Sequence, residues 1–318
     1  MQSNINNQVA VREPLVCVGD LMTECILPLS SLPGRSKTVI VDGVRWEVGG
    51  PAFNTCWYLR RLGWAVKLVA PYGLNNDPLV KEALATARLD KSSLLPVDGD
   101  TDSLLTVWTG DSHRSIYVRG ALPRRIARLL SAKCHKAQQL IIAGSRHKVI
   151  RRTIINLITS QDIAVLGFNP SYAVYEYQPS ELARILSRAQ VTILNEEECE
   201  HVRKVRGLRR NEELARHVAG ILIITRGRKG AKVYRHSLVT ELGSVARKAA
   251  FPIGAGDAFF SGFLHMFLSK APVKEAARFA AATAGLVVES RDVRVDVSER
   301  DILRKLGAIP PENLKDDL

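Results

Sequence analysis

The chain has 318 residues, of which 46% are hydrophobic, and its 45 basic and 32 acidic residues give a formal net charge of +13. The hydrophobic content supports a sizeable α/β core, and the positive charge favours anionic partners without choosing among nucleotides, phosphorylated metabolites, nucleic acid and an anionic membrane. No apolar run in the sequence approaches the length of a membrane span. The N-terminus is polar, unlike a secretory signal, and the five cysteines match no metal-ligand spacing, so we expect reduced thiols and a cytoplasmic location.

Short apolar runs alternate with helical patterns along the chain. The helical segment "FNTCWYLRRLG" ends at Gly63, which suits a left-handed cap, and "NNDPLVKEALATARL" carries polar residues and a proline at its start. The runs that predict buried strands are "LVCVG", "VKLVAPYG", "QQLIIAG", "IAVLGF", "VTILN" and "ILIITRG". Apolar strands separated by helices predict a mostly parallel sheet covered on both faces.

Two segments are β-rich and contain turn residues but no helical pattern. "KTVIVDGVRWEVGG" (37–50) and "LLTVWTGDSHRSIYVRGA" (104–121) are predicted as hairpins. Together they predict a small second sheet that covers a site as a lid. We expect one domain over residues 14–310, with lid segments at about 36–50 and 101–121, and flexible tails at 1–13 and 311–318.

The stretch "FPIGAGDAFFSGFLHMFL" (251–268) places a glycine-rich turn and a carboxylate before a helix that is apolar almost all round. The small residues Gly254, Ala255 and Gly256 allow an anionic group to approach the backbone N–H groups of the helix N-terminus. Asp257 would repel that anion, but it fits a base that deprotonates an alcohol during phosphoryl transfer. The simpler explanation is that Asp257 caps the helix after an ordinary turn.

Three further segments are compatible with the same chemistry. Asn54 stands at a helix start after a Gly-Gly pair, "LNEEE" (194–198) follows a strand, and "TRGRKG" (225–230) lies between two strands. Each has a structural explanation as well: a helix cap, a solvated acidic first turn, and a hairpin. All four motifs in this order favour a functional interpretation over four coincidences.

These motifs resemble the ribokinase/PfkB family of carbohydrate and nucleoside kinases, over roughly residues 15 to 290. The resemblance implies a ribokinase-like three-layer α/β/α sandwich with a mostly parallel central sheet and a small β-sheet lid. It implies an ATP-dependent kinase that transfers the γ-phosphate to a hydroxyl of a sugar or sugar-like acceptor. Two alternatives stay open: a nucleoside kinase, and a weakly active or inactive regulatory pseudokinase that binds nucleotide or sugar.

The resemblance also assigns roles to residues. It implies Asp257 as the catalytic base, and it implies an anion hole for the γ-phosphate at Gly254, Ala255 and Gly256. Glu198 would act on Mg²⁺ through water. The nucleotide-binding positions that it implies are Asn195, Thr225, Gly227 and Gly230. The acceptor-binding positions are Asp20, Glu24, Gly49, Gly50 and Asn54, to which Arg114 and Arg119 are added as candidates for holding an acceptor phosphate, with a solvated strand face as the simpler explanation.

Several positions depart from the family pattern. Phe251 and Pro252 replace an Asp-Thr pair that helps to hold a monovalent cation, so potassium activation is not expected to carry over. Glu24 stands where an aspartate is usual, which moves the carboxylate by about one methylene and predicts a shifted acceptor preference. "NPS" (169–171) replaces a common Asp-Pro-Asn. The nucleotide side is thus better preserved than the acceptor side.

Two basic clusters, "RHKVIRR" (146–152) and "RKVRGLRR" (203–210), raise the alternative of nucleic-acid binding. Neither is interleaved with aromatic residues that could stack on bases, and no nucleic-acid motif is recognised. We interpret both as solvated helix faces and loops, and we expect a small-molecule substrate, no specific nucleic acid and no membrane partner. The family's lid often builds a dimer contact, so a homodimer through the lid is a further expectation.

Overall fold

The computed structural model describes residues 13–29, 31–41, 43–44, 46–109, 113–246, 253–290, 292 and 294–307. Both predicted tails, apart from residue 13, lie outside these ranges, and so do Phe251 and Pro252. Within them, no helix is long and apolar enough to cross a bilayer.

The described strands form three sheets. In chain order they are β1 (Leu15–Val18), β2 (Met22–Pro28), β3 (Trp46–Gly49), β4 (Val66–Val69), β5 (Pro71–Gly73), β6 (Leu95–Val97), β7 (Ser103–Trp108), β8 (His113–Val118), β9 (Gln139–Ala143), β10 (Val165–Asn169), β11 (Val191–Asn195), β12 (Ile221–Thr225), β13 (Ala231–Arg235) and β14 (Leu238–Leu242).

The large sheet has eight strands in the order β14-β13-β12-β11-β10-β9-β1-β4. The strands from β4 to β12 in this order are all parallel, and β13 and β14 add an antiparallel edge. The six predicted buried runs all contribute strands to this sheet, with "VKLVAPYG" divided into β4 and the short β5. The carboxyl ends of six parallel strands therefore meet at one edge, where ligands bind in open α/β sheets.

Helices cover both faces of this sheet. They are α1 (Pro51–Arg61), α2 (Asp77–Ala87), α3 (Ile126–Cys134), α4 (Lys148–Ser160), α5 (Pro179–Leu186), α6 (Glu196–Val205), α7 (Asn211–Arg216), α8 (Ala255–Leu268), α9 (Val273–Glu289) and α10 (Glu299–Gly307). Alternate residues of β1 join different cores: Leu15 and Cys17 pack with α1, α8 and α9, whereas Val16 and Val18 pack with α3 and α4. The predicted three-layer sandwich is confirmed.

A separate four-stranded sheet, here called the lid sheet, has the order β3-β2-β7-β8. The second predicted segment supplies the antiparallel pair β7 and β8. The hairpin predicted for 37–50 is wrong: its described residues contribute only β3, which pairs with β2, a strand that the sequence analysis did not identify. The β-branched residues at 39–41 lie partly or largely exposed instead of in a strand, because strand propensity needs a pairing partner to take effect.

The register gives the lid sheet two distinct faces. Glu47, Glu24, Leu104 and Tyr117 form one cross-strand row on what we call the inner face. The neighbouring row of Trp46, Cys25, Leu105 and Ile116 points to the other, outer face, since successive side chains alternate. The inner face is the one that meets the carboxyl edge of the large sheet.

Candidate active site

Four polar residues gather at the carboxyl edge of the large sheet, and the sequence predicts a function for three of them, Asp20, Asn195 and Thr225. Asp20 follows β1, Asn169 ends β10, Asn195 ends β11 and Thr225 ends β12. In the order of the strands, β10 lies between β9 and β1 on one side and β11 and β12 on the other. This arrangement separates the predicted acceptor residue Asp20 from the predicted nucleotide-binding residues Asn195 and Thr225, and we name the two parts of the edge the acceptor side and the nucleotide side after those predictions.

Asp257 lies between the two sides, in the first turn of α8. Its Oδ2 accepts a hydrogen bond from Asn54 Nδ2 at 3.0 Å, and its Oδ1 accepts one from Asn169 Nδ2 at 2.8 Å. Asn54 comes from the first turn of α1 and Asn169 from the end of β10. The carboxylate is therefore held by three elements that are distant in the sequence.

The N-terminus of α8 is shaped for a close approach. Gly254 is its N-cap residue, with φ of 81°, which a glycine adopts without strain. A Cβ on Gly256 would meet nothing within 4 Å, so the space beside the first turn is open. The N–H groups of such a turn have no acceptor within the helix. Phe260 and Phe263 anchor the helix in the core, and burial of each contributes about 1.5–3 kcal/mol.

The half-buried position of Asp257 sets its protonation. Burial raises the pKa of its carboxyl to about 6, against the lowering effect of the hydrogen bonds from Asn54 and Asn169. A carboxylate with this pKa is ionised at neutral pH and is a stronger base than an ordinary aspartate. These are the properties that a general base needs.

Two buried carboxylates define the acceptor side. Glu24 Oε1 accepts the N–H of Gly50 at 2.8 Å, and Asp20 Oδ2 accepts the hydroxyl of Tyr172 at 2.9 Å. The other oxygens, Glu24 Oε2 and Asp20 Oδ1, are buried and have no hydrogen-bond partner among the described residues. Burial raises the pKa of Glu24, and it raises the pKa of Asp20 to about 6.

Local packing explains why residues 49 and 50, just before α1, are glycines. A Cβ on Gly49 would lie 2.2 Å from the carboxyl group of Glu24, so only glycine leaves room for that side chain. Gly50 has φ of 92°, and a Cβ there would lie 2.7 Å from the carbonyl oxygen of Asp20. Both glycines thus accommodate the Glu24 carboxylate, Gly49 by leaving room for it and Gly50 by donating its N–H group, and Gly50 also lies close to the backbone of Asp20.

A buried ion pair lies next to the acceptor side. His147 Nε2 lies 2.8 Å from Asp102 Oδ2, which also accepts the hydroxyl of Tyr117 at 2.7 Å. Burial opposes the charged imidazolium, but the hydrogen bond and charge of Asp102 outweigh it and raise the pKa of His147. The exposed Arg119 lies near enough to His147 to oppose that rise.

An aromatic wall adjoins Asp20. The rings of Tyr117 and Tyr172 are tilted to each other with centroids 5.7 Å apart. The guanidinium of Arg146 lies 5.2 Å and 5.3 Å from the two centroids, and its backbone N–H donates to Asp20 at 3.2 Å. The interpretation of 146–152 as a solvated face is therefore wrong for this arginine and for Arg151, which is buried and donates to the carbonyl of Ser145 at 3.0 Å.

On the nucleotide side, Asn195 and Glu198 form a capping box at the start of α6. Asn195 Oδ1 accepts the N–H of Glu198 at 2.8 Å, and Glu198 Oε2 accepts the N–H of Asn195 at 2.9 Å. Burial raises the pKa of Glu198 to about 7, and the charge of the nearby Asp257 adds to the rise. The explanation as a solvated first turn therefore fits Glu196 and Glu197, which are exposed, but it is wrong for Glu198, which is buried.

The turn after β12 contains one glycine with free space around its Cβ position and one that is packed against the backbone. Gly227 has φ of 55° and no atom within 4 Å of a Cβ position, so its surface is accessible. Gly230 lies against β14, where a Cβ would come within 1.9 Å of the carbonyl oxygen of Leu242. The hydroxyl of Thr225 lies 3.5 Å from the carbonyl oxygen of Leu194. Arg114 is not among the residues that gather around Asp257. It lies on the outer face of the lid sheet, the same face as Ile116.

Sequence reasoning missed several residues that the structure brings to the site. Asn169 ends a correctly predicted strand, and its place at the carboxyl edge is the signal that identifies it. The contacts of Tyr117, Asp102, His147 and Tyr172 depend on distances that no local pattern encodes. Within the described residues, no group of three or more His, Cys, Asp or Glu side chains could hold a metal ion.

Comparison with known proteins decides the family. A model of the pfkB family of carbohydrate kinases matches residues 12–300. The chain belongs to this family. As a pfkB-family kinase, it is a phosphotransferase with an alcohol group as acceptor.

Relatives of this pfkB kinase include nucleoside kinases. The chain is 24% identical to a nucleoside kinase of Methanothermobacter thermautotrophicus, over 90% of this chain and 92% of the relative. Its fold matches the nucleoside kinase of Methanocaldococcus jannaschii with a TM-score of 0.78 and 20% identity, over 93% and 98% of the two chains. It also matches a Burkholderia thailandensis nucleoside kinase in complex with ADP-inosine, with a TM-score of 0.76 and 18% identity over 96% and 98%.

Proposed function

We propose that this kinase transfers the γ-phosphoryl group of ATP to a sugar hydroxyl of a nucleoside, with Asp257 as the general base. The observation that carries the proposal is the position of that carboxylate. It lies at the N-terminus of α8, held by Asn54 and Asn169, between the acceptor side and the nucleotide side of the sheet edge. A base and an anion-binding helix terminus at one point are the requirements of phosphoryl transfer to an alcohol.

The acceptor side supports a polyhydroxylated ligand. Glu24 Oε2 and Asp20 Oδ1 are buried acceptors that lack donors among the described residues, and an unsatisfied buried polar atom is costly. Two hydroxyl groups of a sugar would donate to them. Gly49 leaves room for the Glu24 carboxylate, and the N–H group of Gly50 donates to it, so both glycines support its position.

The aromatic wall favours a nucleoside over a plain sugar. The sequence alone favours a sugar or sugar-like acceptor, with the nucleoside as an alternative. Tyr117 and Tyr172 place two aromatic rings beside Asp20, and Arg146 adds a planar guanidinium; a nucleobase would stack on such groups, whereas a simple sugar has no flat ring to offer. Two relatives named as nucleoside kinases and one named as a cytidine kinase support the same choice.

ATP and magnesium complete the proposed reaction. The ADP complex of a structural relative supports an adenine nucleotide as the donor, with Asn195, Thr225 and Gly227 on its side of the edge. Glu198 Oε1 would hold a water of the magnesium hydration shell, because Oε2 is used by the capping box. When bound, Mg²⁺ would neutralise charge on the phosphates during transfer.

The step itself uses few residues. The acceptor hydroxyl passes its proton to Asp257, its oxygen forms a bond to the γ-phosphorus, and the bond from that phosphorus to the β-phosphate oxygen breaks to release ADP. The N–H groups in the turn of Gly254, Ala255 and Gly256 would stabilise negative charge on the transferring group. Asn54 and Asn169 hold the base in place, and its pKa of about 6 keeps it ionised at neutral pH.

The proposal is tested by incubating the protein with Mg-ATP and pooled nucleosides, sugars and sugar phosphates, followed by mass spectrometry. Asp257→Asn should lower kcat by about 10²- to 10⁴-fold and leave ATP binding, measured by calorimetry, within a few-fold of the wild type. Asp162→Asn makes the same change at an exposed site and should have full activity. Full turnover by Asp257→Asn would refute the base, and ATP binding without any product would favour the regulatory pseudokinase.

Two broader properties are also proposed. Five buried free cysteines fit a reducing, cytoplasmic environment. A homodimer through the outer face of the lid sheet is supported by its exposed apolar side chains, which include Trp46 and Ile116.

A further inference from the structure

Arg294 is a buried cation next to the proposed base, in the segment between α9 and α10. Its side chain is 9% exposed, and its guanidinium donates to Glu47 Oε2 at 2.7 Å and to Asn54 Oδ1 at 3.4 Å. None of the four motifs of the sequence analysis includes this residue, although it lies within the residues that the family model matches. Its charge faces Glu24 as well, whose pKa it lowers against the effect of burial.

The segment that carries Arg294 is fixed to α1 by several contacts. The guanidinium of Arg294 lies 5.4 Å from the ring centroid of Phe53 and 5.9 Å from that of Trp57. Trp57 Nε1 donates to the carbonyl of Val295 at 3.2 Å, and Arg61 pairs with Asp296 at 2.8 Å. Arg294 is therefore a built part of the site and not a solvated side chain that happens to lie nearby.

Its contact with Asn54 has a consequence for Asp257. The amide of Asn54 can donate to Asp257 only through Nδ2, which requires Oδ1 to face away. A guanidinium can only donate hydrogen bonds, so the contact of Arg294 with Asn54 is favourable when Oδ1 faces the guanidinium and unfavourable when the amide is flipped. With the amide flipped, an oxygen would face the carboxylate of Asp257 and an NH₂ group would face the guanidinium, and both contacts would be repulsive.

The contact with Glu47 extends this line of polar groups to the lid sheet. Glu47 lies on β3, in the same inner-face row as Glu24. The polar contacts run from Glu47 to Arg294, from Arg294 to Asn54 and from Asn54 to Asp257. The edge strand of the lid sheet is thus linked to the proposed base through one cation.

We propose that Arg294 is a positioning residue, which holds the Asn54 amide in the orientation that fixes Asp257 and ties strand β3 of the lid sheet to it. The proposal rests on the proposed function, in which Asp257 is the base. Arg294 acts through Asn54 and does not itself touch the reacting atoms.

The test compares Arg294→Gln, Arg294→Lys, Arg294→Ala and Glu47→Gln with the wild type. Arg294→Gln should lower kcat by about 10²-fold, the loss expected for a misplaced base, with little change in KM for ATP. The acid limb of its pH profile should move, because the hydrogen bond from Asn54 contributes to the pKa of Asp257. Arg294→Lys keeps the charge and should retain more activity, and guanidinium ion added to Arg294→Ala should restore part of kcat.

The matched control is Arg61→Gln. Arg61 holds the same segment through Asp296, and its guanidinium lies 3.7 Å from the ring centroid of Trp57, but it makes no contact with Asn54 or Asp257 in the structure. It should keep kcat within about threefold of the wild type. A second readout is a double-mutant cycle with Asn54→Ala, in which removing Arg294 should cost little more once Asn54 is gone.

Three outcomes would overturn the inference: wild-type kcat and pH profile in a folded Arg294→Gln, an equal loss in Arg61→Gln, or full additivity in the cycle. If Arg294→Gln fails to fold, the same criteria apply to Arg294→Lys and Glu47→Gln. Full activity of Asp257→Asn would instead refute the proposed function, so the two failures are distinguishable.

Discussion

Glu24 is the residue that most directly tests the acceptor side. Glu24→Gln keeps the side-chain size and an oxygen for the N–H of Gly50, but it removes the charge that a sugar hydroxyl would meet. A hydrogen bond to a charged group contributes about 1.5–3 kcal/mol, so we expect KM for the acceptor to rise by about 10- to 100-fold with KM for ATP unchanged. Steady-state kinetics with each substrate varied in turn measures both.

The control for this prediction lies next to Glu24. Gly49→Ala leaves the carboxylate chemically intact, but its Cβ would lie 2.2 Å from that carboxyl group and displace it. It should reproduce the acceptor defect. Unchanged acceptor KM in both variants would remove Glu24 from the acceptor side.

The pH dependence of the reaction follows from Asp257. The base acts in its ionised form and burial raises its pKa to about 6, so kcat/KM should fall about tenfold per unit below pH 6 and level off above it. Asp20 has a pKa of about 6 as well, and Asp20→Asn separates the two groups. That variant should bind the acceptor more weakly and keep the acid limb in kcat; loss of the limb would assign it to Asp20.

At the scale of the secondary-structure element, Glu198 has a capping role and a proposed magnesium role that one substitution separates. Glutamine at the third position of a helix also completes a capping box, so Glu198→Gln should leave the melting temperature unchanged. It removes the carboxylate that would hold the metal-bound water, so KM for Mg-ATP should rise severalfold. Asn195→Ala is the comparison, because it removes the cap and should cost about 1 kcal/mol of stability.

The elements also show where sequence patterns suffice and where they do not. Each apolar run flanked by turns became a strand, because a strand buried on both faces needs that composition whatever its neighbours are. The run at 39–41 is also β-branched but pairs with no strand among the described residues, whereas β2, which the sequence analysis does not identify, pairs on both sides. Pairing in the lid sheet is decided by contacts between segments, which a local pattern does not contain.

The residues of the candidate site also divide into those that a local sequence pattern can identify and those that it cannot. Asp257, Asn54, Asn195 and Thr225 were predictable because each stands at the end of a strand or the start of a helix. Arg294 was not, since its contacts depend on how the segment after α9 returns to α1. A charge pattern does not reveal that Arg146 packs against two tyrosines, so the interpretation of 146–152 as a solvated face is wrong for this arginine.

At the scale of the whole molecule, the lid sheet bears on the oligomeric state. On its outer face, Trp46 is 44% exposed, Ile116 is 65% exposed and Val118 is 48% exposed. If this face is a dimer contact, Ile116→Asp should convert a dimer into a monomer in analytical ultracentrifugation, because an unpaired charge in an apolar contact is costly. Arg114→Asp changes charge on the same face and serves as the comparison. A monomeric wild type would refute the proposed dimer.

The buried acids of the site have a consequence for the stability of the empty protein. Burial raises the pKa of Asp20, Glu24, Glu198 and Asp257 above the values of an unfolded chain. Their contribution to the free energy of unfolding is therefore complete below about pH 4 and is lost as the pH rises through their raised pKa values, which are about 6 for Asp20 and Asp257 and about 7 for Glu198. An acceptor whose hydroxyls donate to the ionised carboxylates reverses part of that loss. The protein should thus gain more heat resistance from its acceptor at pH 8 than at pH 5, so its melting temperature can identify the acceptor without any phosphoryl transfer.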